Sequence, residues 1–584
     1  MKKADETKGI FNKLPVSAAK FIKQVIKKMR YRREVRQDVQ AELTAHFEDE
    51  LKDCKRNSEG EQKARQLIGD FGDARLLAVL LRRAKKRCRP LWRTAVAITF
   101  QTTGIITLCF IVYVIWFMSG KPVITTDYVA ELNRIVQASS DGTLNAAPFY
   151  HKAAQVFKEL PDDISVLFRK KYKEVTPEQK QVMEKWLTDN QETLELVISG
   201  TQRLYYCRTY GNKQNTSEMI SILLPDLNEF RNLVRALTWR ARLRAEQGRY
   251  EDAFDDIKSC YRFGRHLRGD KSLIEQLVGI AIEALAAQTI RDILSEHRID
   301  SPVLAELQQG FENMIADEDC TVSFKFEKLS IYDEIQRSFT DGLRGGHIIP
   351  KHIAKLLPEV QIISALSTGS GRVPTPRKQK VNWLSERISD IRDVVEDVGY
   401  QSKIIAAWAK KGGYVLFFHP DKYETREMVD GLYDYWEQTA RKSPAQIRAE
   451  NIDIEKQAME IVEGNILLEI FTPAIGRVCE IAHRNRIDVE ATLAVIAILR
   501  YKQDTGNYPE NLDELIEAGL LKALSIDPYS DQSLVYKRTE SDFALYGVGE
   551  NFKDDGGTVA VVDGRLRKWG TKEEGDWVFW PVSK

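Results

Sequence analysis

Seven cysteines in 584 residues, with no C-x-x-C pair among them, are too few and too scattered for a disulfide framework. Net charge is almost nil: 86 Lys and Arg against 85 Asp and Glu give +1, so no global field draws the chain to nucleic acid. The G-x-S-x-G elbow, H-E-x-x-H, the P-loop and the Rossmann glycine fingerprint are all missing. No small-molecule substrate is therefore identifiable, although carboxylates are numerous enough for a pair to assemble in space. A hydrophobic content of 43% with 29% charge is that of a folded protein, long enough for more than one domain. Long apolar runs are scarce too, with one exception.

That exception is Thr94–Met118 (TAVAITFQTTGIITLCFIVYVIWFM), which contains no charged residue. As a helix it reaches roughly 37 Å at about 1.5 Å per residue, enough to cross a hydrocarbon core with some tilt. Trp92 and Trp116 lie near its ends, where an amphipathic ring suits the headgroup region. Arg82, Arg83, Lys85, Lys86, Arg87, Arg89 and Arg93 crowd the N-terminal flank, while Lys121 stands alone just beyond the other end. No acidic residue occurs between Asp73 and Asp127. Positive charge is retained on the cytoplasmic side, so residues 1–93 are expected in the cytoplasm and 119–584 outside it. A cleaved signal peptide is excluded by the run's length and its distance from Met1. Tyr414–Phe418 (YVLFF) is too short to span, and no second span is expected. The local basic excess fits topology and anionic lipid better than a nucleic-acid partner.

Before the span, residues 1–93 read as a small helical bundle. Apolar residues at helical spacing predict helices over Ser17–Arg30 and about Arg33–Lys52. Ser58 and Glu61 have the S-x-x-E spacing of a capping box opening a third. Gly72 suits the left-handed position past its end, and Asp73 is placed to cap a fourth, Ala74–Lys86. His46, beside Glu48 and Asp49, reads as a surface or packing residue rather than a metal ligand. The runs Glu42–Leu51 (ELTAHFEDEL) and Ala64–Asp73 (ARQLIGDFGD), followed by Leu77, Ala78 and Leu81, resemble the HAAS-type helical domains that precede membrane spans in bacteria. The resemblance covers about residues 20–86. It implies a docking domain for a regulator and no catalysis.

After the span, residues 119–486 are expected to form a large helical domain. Within it Arg240–Leu267 reads as two antiparallel helices turning at Gly248. Gly248, Tyr250, Ala253 and Ala241 resemble positions of a tetratricopeptide (TPR) hairpin, whereas Arg240 and Arg244 stand where apolar residues are usual. No second copy follows at that period, so this is one repeat-like hairpin rather than a solenoid. Further helices are expected at about Asp127–Ala138, Pro177–Ser199, Lys380–Lys410 and Pro444–Arg484. Ser367–Lys380 (STGSGRVPTPRKQK) is a candidate linker, and Asp341–Gly346 (DGLRGG) a loop. His347, His352 and His419 are isolated, and the acidic run Asp317, Glu318 and Asp319 reads as a solvated face. Cys207, Cys260, Cys320 and Cys479 would face the outside, where disulfides are chemically allowed but their pairing is not legible; free buried thiols are the simpler expectation.

Residues 487–584 change character. A helix over Ile487–Gln503 runs into D-T-G-N-Y-P, a short helix at Asn511–Ala518 follows, and strands are expected at Ser533–Arg538, Asp542–Val548 and Thr558–Val562 before a closing Asp576–Val582. Gly506, Tyr508 and Pro509, the Asp527–Pro528 pair, Leu545–Gly549, Asp554–Gly557 and Asp576 occur in the order found in the globular part of type II secretion pseudopilins, which this α+β module resembles. The chain as a whole resembles large membrane-anchored proteins of planctomycete-type bacteria. From the pseudopilin resemblance, Asp554, Asp555 and Asp576 are candidate Ca²⁺ ligands, the alternative being a tight turn whose carboxylates bond local backbone. No basic leader precedes Ile487, so assembly into a pilus-like fibre by the usual route is not expected.

These readings converge on a mainly α protein of the bacterial cytoplasmic (inner) membrane: single-pass, non-enzymatic, with protein partners on both sides and a role in interaction, scaffolding or transmembrane signalling. The alternatives are an accessory component of a secretion or pilus-like system, and an extracytoplasmic enzyme whose site lies in the helical body.

Overall fold

A computed structural model describes residues 14–54, 58–87, 91–137, 144–158, 161–168, 172–211, 218–222, 224, 226–315, 322–342, 345–353, 417–471, 475–562, 565–567, 570–572 and 574–581. It is mainly helical, and the chain divides into two compact units, Met1–Ile115 and Trp116–Lys584. The candidate linker 367–380, the helix expected at 380–410, the acidic run 317–319, Cys88 and Cys320 lie outside the described residues.

In the first unit, α1 (Val16–Lys28), α2 (Arg33–Glu50), α3 (Ser58–Phe71) and α4 (Ala74–Arg87) bury the stripes that their apolar spacing predicts. Phe21, Ile22 and Val25 meet Val39, Leu43 and Phe47, and Phe71 lies 5.5 Å, ring to ring, from Phe47. Each large apolar side chain so buried contributes about 1.5–3 kcal/mol. Gly72 takes a φ of +73°, which ends α3 where a Cβ would be strained, and Asp73 Oδ1 accepts from Arg75 N at 2.9 Å to start α4. Glu61 differs from its expected role. Its carboxylate accepts from Ser17 Oγ at 2.6 Å and so ties α3 to α1. His46 packs edge-on against Phe71 at 5.4 Å. A fifth helix, α5 (Leu91–Met118), carries the apolar run.

The second unit opens with α6 (Tyr128–Gln137), α7 (Ala147–Val156), α8 (Asp162–Leu167), α9 (Pro177–Asp189) and α10 (Gln191–Thr201). The single helix expected over 177–199 is divided at the buried Asn190, whose Oδ1 accepts from Lys158 N at 2.9 Å. Then come α11 (Leu227–Glu246), α12 (Tyr250–His266), α13 (Leu273–Glu296), α14 (Ser301–Ile315) and α15 (Lys325–Ser338). The antiparallel pair α11–α12 turns at Gly248, φ +76°. Arg240 and Arg244 both clamp Asp256, 1% exposed, with Arg244 Nη1 2.8 Å from its carboxylate. That shared buried anion explains two arginines at positions where apolar residues are usual.

Helices α12 and α13 touch backbone to backbone. A Cβ on Gly264 would lie 2.7 Å from Gly279 O, and one on Gly279 would lie 2.6 Å from Gly264 O. Helix α13 lies almost wholly within Leu227–Leu294, where helical periodicity is clearest in the sequence. Among the described residues two helices are long and apolar enough to cross a membrane, Ala95–Met118 and Leu273–Glu296; the apolar 18-residue window is 0% buried in the first and 56% buried in the second. Leu273–Glu296 seats Glu275, Glu283 and Arg291 inside the protein in polar contacts, and lies at the centre of the second unit.

Beyond 417 the chain forms α16 (Lys422–Ala440), α17 (Pro444–Ala449), α18 (Ile454–Ile461), α19 (Ile466–Phe471) and α20 (Ile475–Thr505). The continuous helix expected over 444–484 is therefore replaced by short pieces, broken where Asn451 and Gly464 adopt positive φ. The boundary expected at 486/487 falls inside α20, which runs through it unbroken. A short α21 (Asp513–Glu517) leads to β1 (Val535–Arg538), β2 (Phe543–Gly547), β3 (Ala560–Val562), β4 (Arg565–Arg567) and β5 (Trp577–Trp580). The sheet order is β1-β2-β5, antiparallel, with β3–β4 as a separate hairpin. Phe543, Leu545, Trp577 and Phe579 share one core with α11–α14 and α20.

Candidate functional site

The three C-terminal aspartates come together, and each accepts hydrogen bonds from the surrounding turn. Asp576, 0% exposed, accepts from Asp555 N at 3.1 Å and Gly557 N at 2.6 Å. Asp555 Oδ2 accepts from Gly575 N at 2.6 Å and Asn551 Nδ2 at 2.8 Å. Asp554 Oδ1 accepts from Gly556 N at 2.8 Å and Tyr546 Oη at 3.0 Å. Burial raises the Asp576 carboxyl above its ordinary range, and its two neighbouring carboxylates push the same way. Carboxylates turned onto backbone N–H groups build a tight turn, and no group of three or more His, Cys, Asp or Glu side chains suited to a metal ion occurs among the described residues.

His347, His352 and His419 are each engaged by neighbouring groups of the fold. His352 Nε2 lies 2.6 Å from Glu334 Oε1, and the ring of His347 stacks on Phe117. His419 Nδ1 donates to Pro420 O at 2.8 Å, while Nε2 accepts from Ile466 N at 3.2 Å. Burial depresses that imidazole to about 4, so it stays neutral at physiological pH. Among the described cysteines no disulfide forms; Cys207 Sγ donates to Val136 O, and Cys260 and Cys479 are buried thiols.

A cluster that motif reading does not find lies where the start of α13 meets the stretch after α10. Tyr206, Arg208 and Tyr210 all turn inward at alternate positions. Arg208 sits between two carboxylates: Asp226 Oδ2 at 3.5 Å from Nη2, and Glu275 Oε1 at 3.9 Å from Nη1. Glu275, 0% exposed, also accepts from Tyr210 Oη at 2.8 Å and Ser272 Oγ at 2.8 Å. Asp226 reaches His151 Nδ1 at 3.1 Å, and burial lowers the His151 pKa. Nearby, Glu327 on α15 accepts from Leu273 N at 2.6 Å. Arg208 Nη1, Glu275 Oε1 and Glu327 Oε2 are shut off from solvent without a hydrogen bond. A gap of 3.9 Å is too long for a direct bond and suits a bridging water or one polar ligand atom. The signal was diffuse in sequence, because these residues are spread from 151 to 327.

Burial raises the Glu327 carboxyl to about 8, with Glu275 adding repulsion. The folded state therefore holds a proton that the unfolded chain releases above its ordinary value of 4.5. Stability from this site is full below 4.5 and is lost as pH rises towards 8. Glu327→Gln should remove that loss. The variant's melting temperature is expected to exceed the parent's at pH 8 and to converge with it at pH 4.5, with unfolding read by circular dichroism. An unchanged difference across that range would show that Glu327 is ionised in the fold.

Apolar side chains stand uncovered on α5 and α4. Helix α5 exposes Ile98, Phe100, Ile105, Ile106, Leu108, Val112 and Ile115 along its length. In the first unit α4 buries Ala74 and Ala78 but leaves Leu76, Val79 and Leu80 exposed. Comparison with protein-family models, curated proteins and solved structures finds no match to this chain.

Proposed function

We propose that this chain is a single-pass membrane-anchored protein that works through protein–protein interaction, as a scaffold or a transmembrane signalling element. Residues 1–93 then lie in the cytoplasm and residues 119–584 outside it. The observation that carries the reading is the Ala95–Met118 helix, 24 residues long, whose most apolar 18-residue window is 0% buried. Water would charge roughly 25 cal/mol for each Å² of such surface, and a bilayer removes that cost. The basic flank before it supports the orientation. The Leu76–Val79–Leu80 ridge supports docking by the head, in line with the HAAS-type resemblance of residues 20–86.

The test is crosslinking and affinity capture from native membranes with the full-length chain, using photoreactive residues at Leu80 or in the second unit. Capture of a cytoplasmic regulator through Leu80, abolished by Leu76→Ser with Leu80→Ser, is the expected result. Genuine pseudopilins captured through the C-terminal sheet, with nothing at Leu80, would instead favour an accessory role in a secretion or pilus-like system.

A second reading rests on the Arg208–Glu275 cluster, whose unfilled donor and acceptor face each other in the interior. Such a site fits a ligand-binding or enzymatic body. A catalytic turnover or ligand-induced melting shift of the full chain that disappears in Arg208→Gln would move the function here.

A further inference from the structure

The end of α5 is gripped by a small set of chain segments. Phe117, 2% exposed, stacks on the His347 ring at 4.4 Å, and Trp116 meets the same ring at 4.6 Å. His347 belongs to a narrow turn closed by the Phe339–Ile348 bridge and by Thr340 N donating to His347 O at 2.9 Å. The chain leaving α5 packs on that turn. Pro122 bridges Thr340, and a Cβ on Gly120 would lie 2.5 Å from Thr340 Cγ2.

Residues 417–422 join from the other direction. His419 faces Phe339 at 5.8 Å, and Lys422 N donates to Gly345 O at 3.3 Å. The end of the apolar helix and the segment starting at Phe417 are thus held on one turn. Around it stand apolar side chains turned to the outside: Phe418 is 71% exposed, Phe417 57%, Trp116 57%, Ile124 48% and Val123 43%. A water-facing surface rarely gathers three aromatic rings and two β-branched residues in one place.

We propose that this collar is a lipid-contact surface, with Phe417 and Phe418 seated at the boundary between headgroups and acyl chains beside the helix exit. The proposal rests on the membrane-span reading above. A helix leaving a bilayer carries its last turn through the headgroup layer, so whatever packs on Trp116 and Phe117 stands at that level. Aromatic and aliphatic side chains there exchange water for the interface, as the apolar face of a surface-lying helix does. Lys121, exposed two residues before Val123, is placed to meet lipid phosphates. The second unit would then ride on the membrane at two points, the helix and the phenylalanine pair, which limits its swivel about residues 119–121.

The test uses the full-length chain in lipid nanodiscs, with p-benzoyl-phenylalanine placed in turn at Phe418, at Ile106 in mid-helix and at Val561, which is 54% exposed in the β3–β4 hairpin. Mass spectrometry after illumination counts lipid adducts. Because acyl chains are essentially absent from a water-facing site, Phe418 and Ile106 are each expected to exceed Val561 by roughly tenfold. Adducts at Ile106, with Phe418 at the Val561 level or crosslinked to protein instead, overturn the collar and leave the span standing. No adducts at Ile106 overturn both.

Discussion

Ile105→Arg combined with Leu108→Arg is expected to release the protein from membranes. Both side chains are 62% exposed and lie one turn apart near the middle of the apolar helix. Placing one arginine at the centre of a spanning helix costs about 2.5–3.5 kcal/mol on insertion scales, so the pair costs about 5–7 kcal/mol. The polar Gln101, Thr102 and Thr103 already weaken the first half of the run, although Thr102 Oγ1 satisfies itself on Ile98 O at 3.0 Å. A margin reduced in this way does not absorb two charges. The folded units should be spared, because the spanning window is 0% buried and contributes nothing to either core. The measurement is alkaline carbonate extraction: the parent stays in the pellet and the variant moves to the supernatant. A double variant that stays with the membrane would show that this helix is not the anchor.

Arg291→Ala is expected to cost the second unit about 3–5 kcal/mol, the range seen when one member of a buried ion pair is removed. Arg291 Nη2 donates to Asp488 Oδ1 at 2.7 Å, with side chains only 5% and 7% exposed. Nη1 also donates to Asp488 O at 2.9 Å and to Thr492 Oγ1. Truncation strands the Asp488 carboxylate in the interior, while Thr492 Oγ1 still donates to Asp488 O at 2.7 Å. Since α13 and α20 are far apart in sequence, the pair fastens the C-terminal elements to the body. Arg291→Met with Asp488→Leu removes both charges and should recover most of the loss. Limited proteolysis across a denaturant series reports the midpoint for the second unit separately from the head. A shift of the single variant below about 1 kcal/mol would place the pair among exposed ones that carry little energy.

Local features were legible from the residues alone. The apolar helix, the four head helices, the turn at Gly248 and the strands expected at Ser533–Arg538 and Asp542–Val548 each depend on spacing within one contiguous stretch. The left-handed backbone at Gly72 and Gly248 is likewise a property of one residue type at one place. Asp527 is local only in part: its carboxylate accepts from Tyr529 N at 3.0 Å within the turn, and from Val548 N at 2.9 Å across the fold.

What the residues alone determined, then, is a list of elements, one exposed apolar helix and a basic flank before it. Tertiary structure decided which charges are interior. Arg240 and Arg244 look out of place in an apolar register until Asp256 meets both, and Glu61 reads as a cap until Ser17 reaches it. Leu273–Glu296 passes as a membrane span by composition, yet its Glu275, Glu283 and Arg291 are held by Tyr210, Arg268 and Asp488. Helix α20 crosses its expected boundary because continuous periodicity carries no mark of where one packing partner ends and the next begins. The Arg208–Glu275 cluster and the collar at Phe417 draw on segments tens to hundreds of residues apart. Spacing encodes which residues share a face, whereas the dielectric around a charge and the neighbour across a contact depend on the packed whole.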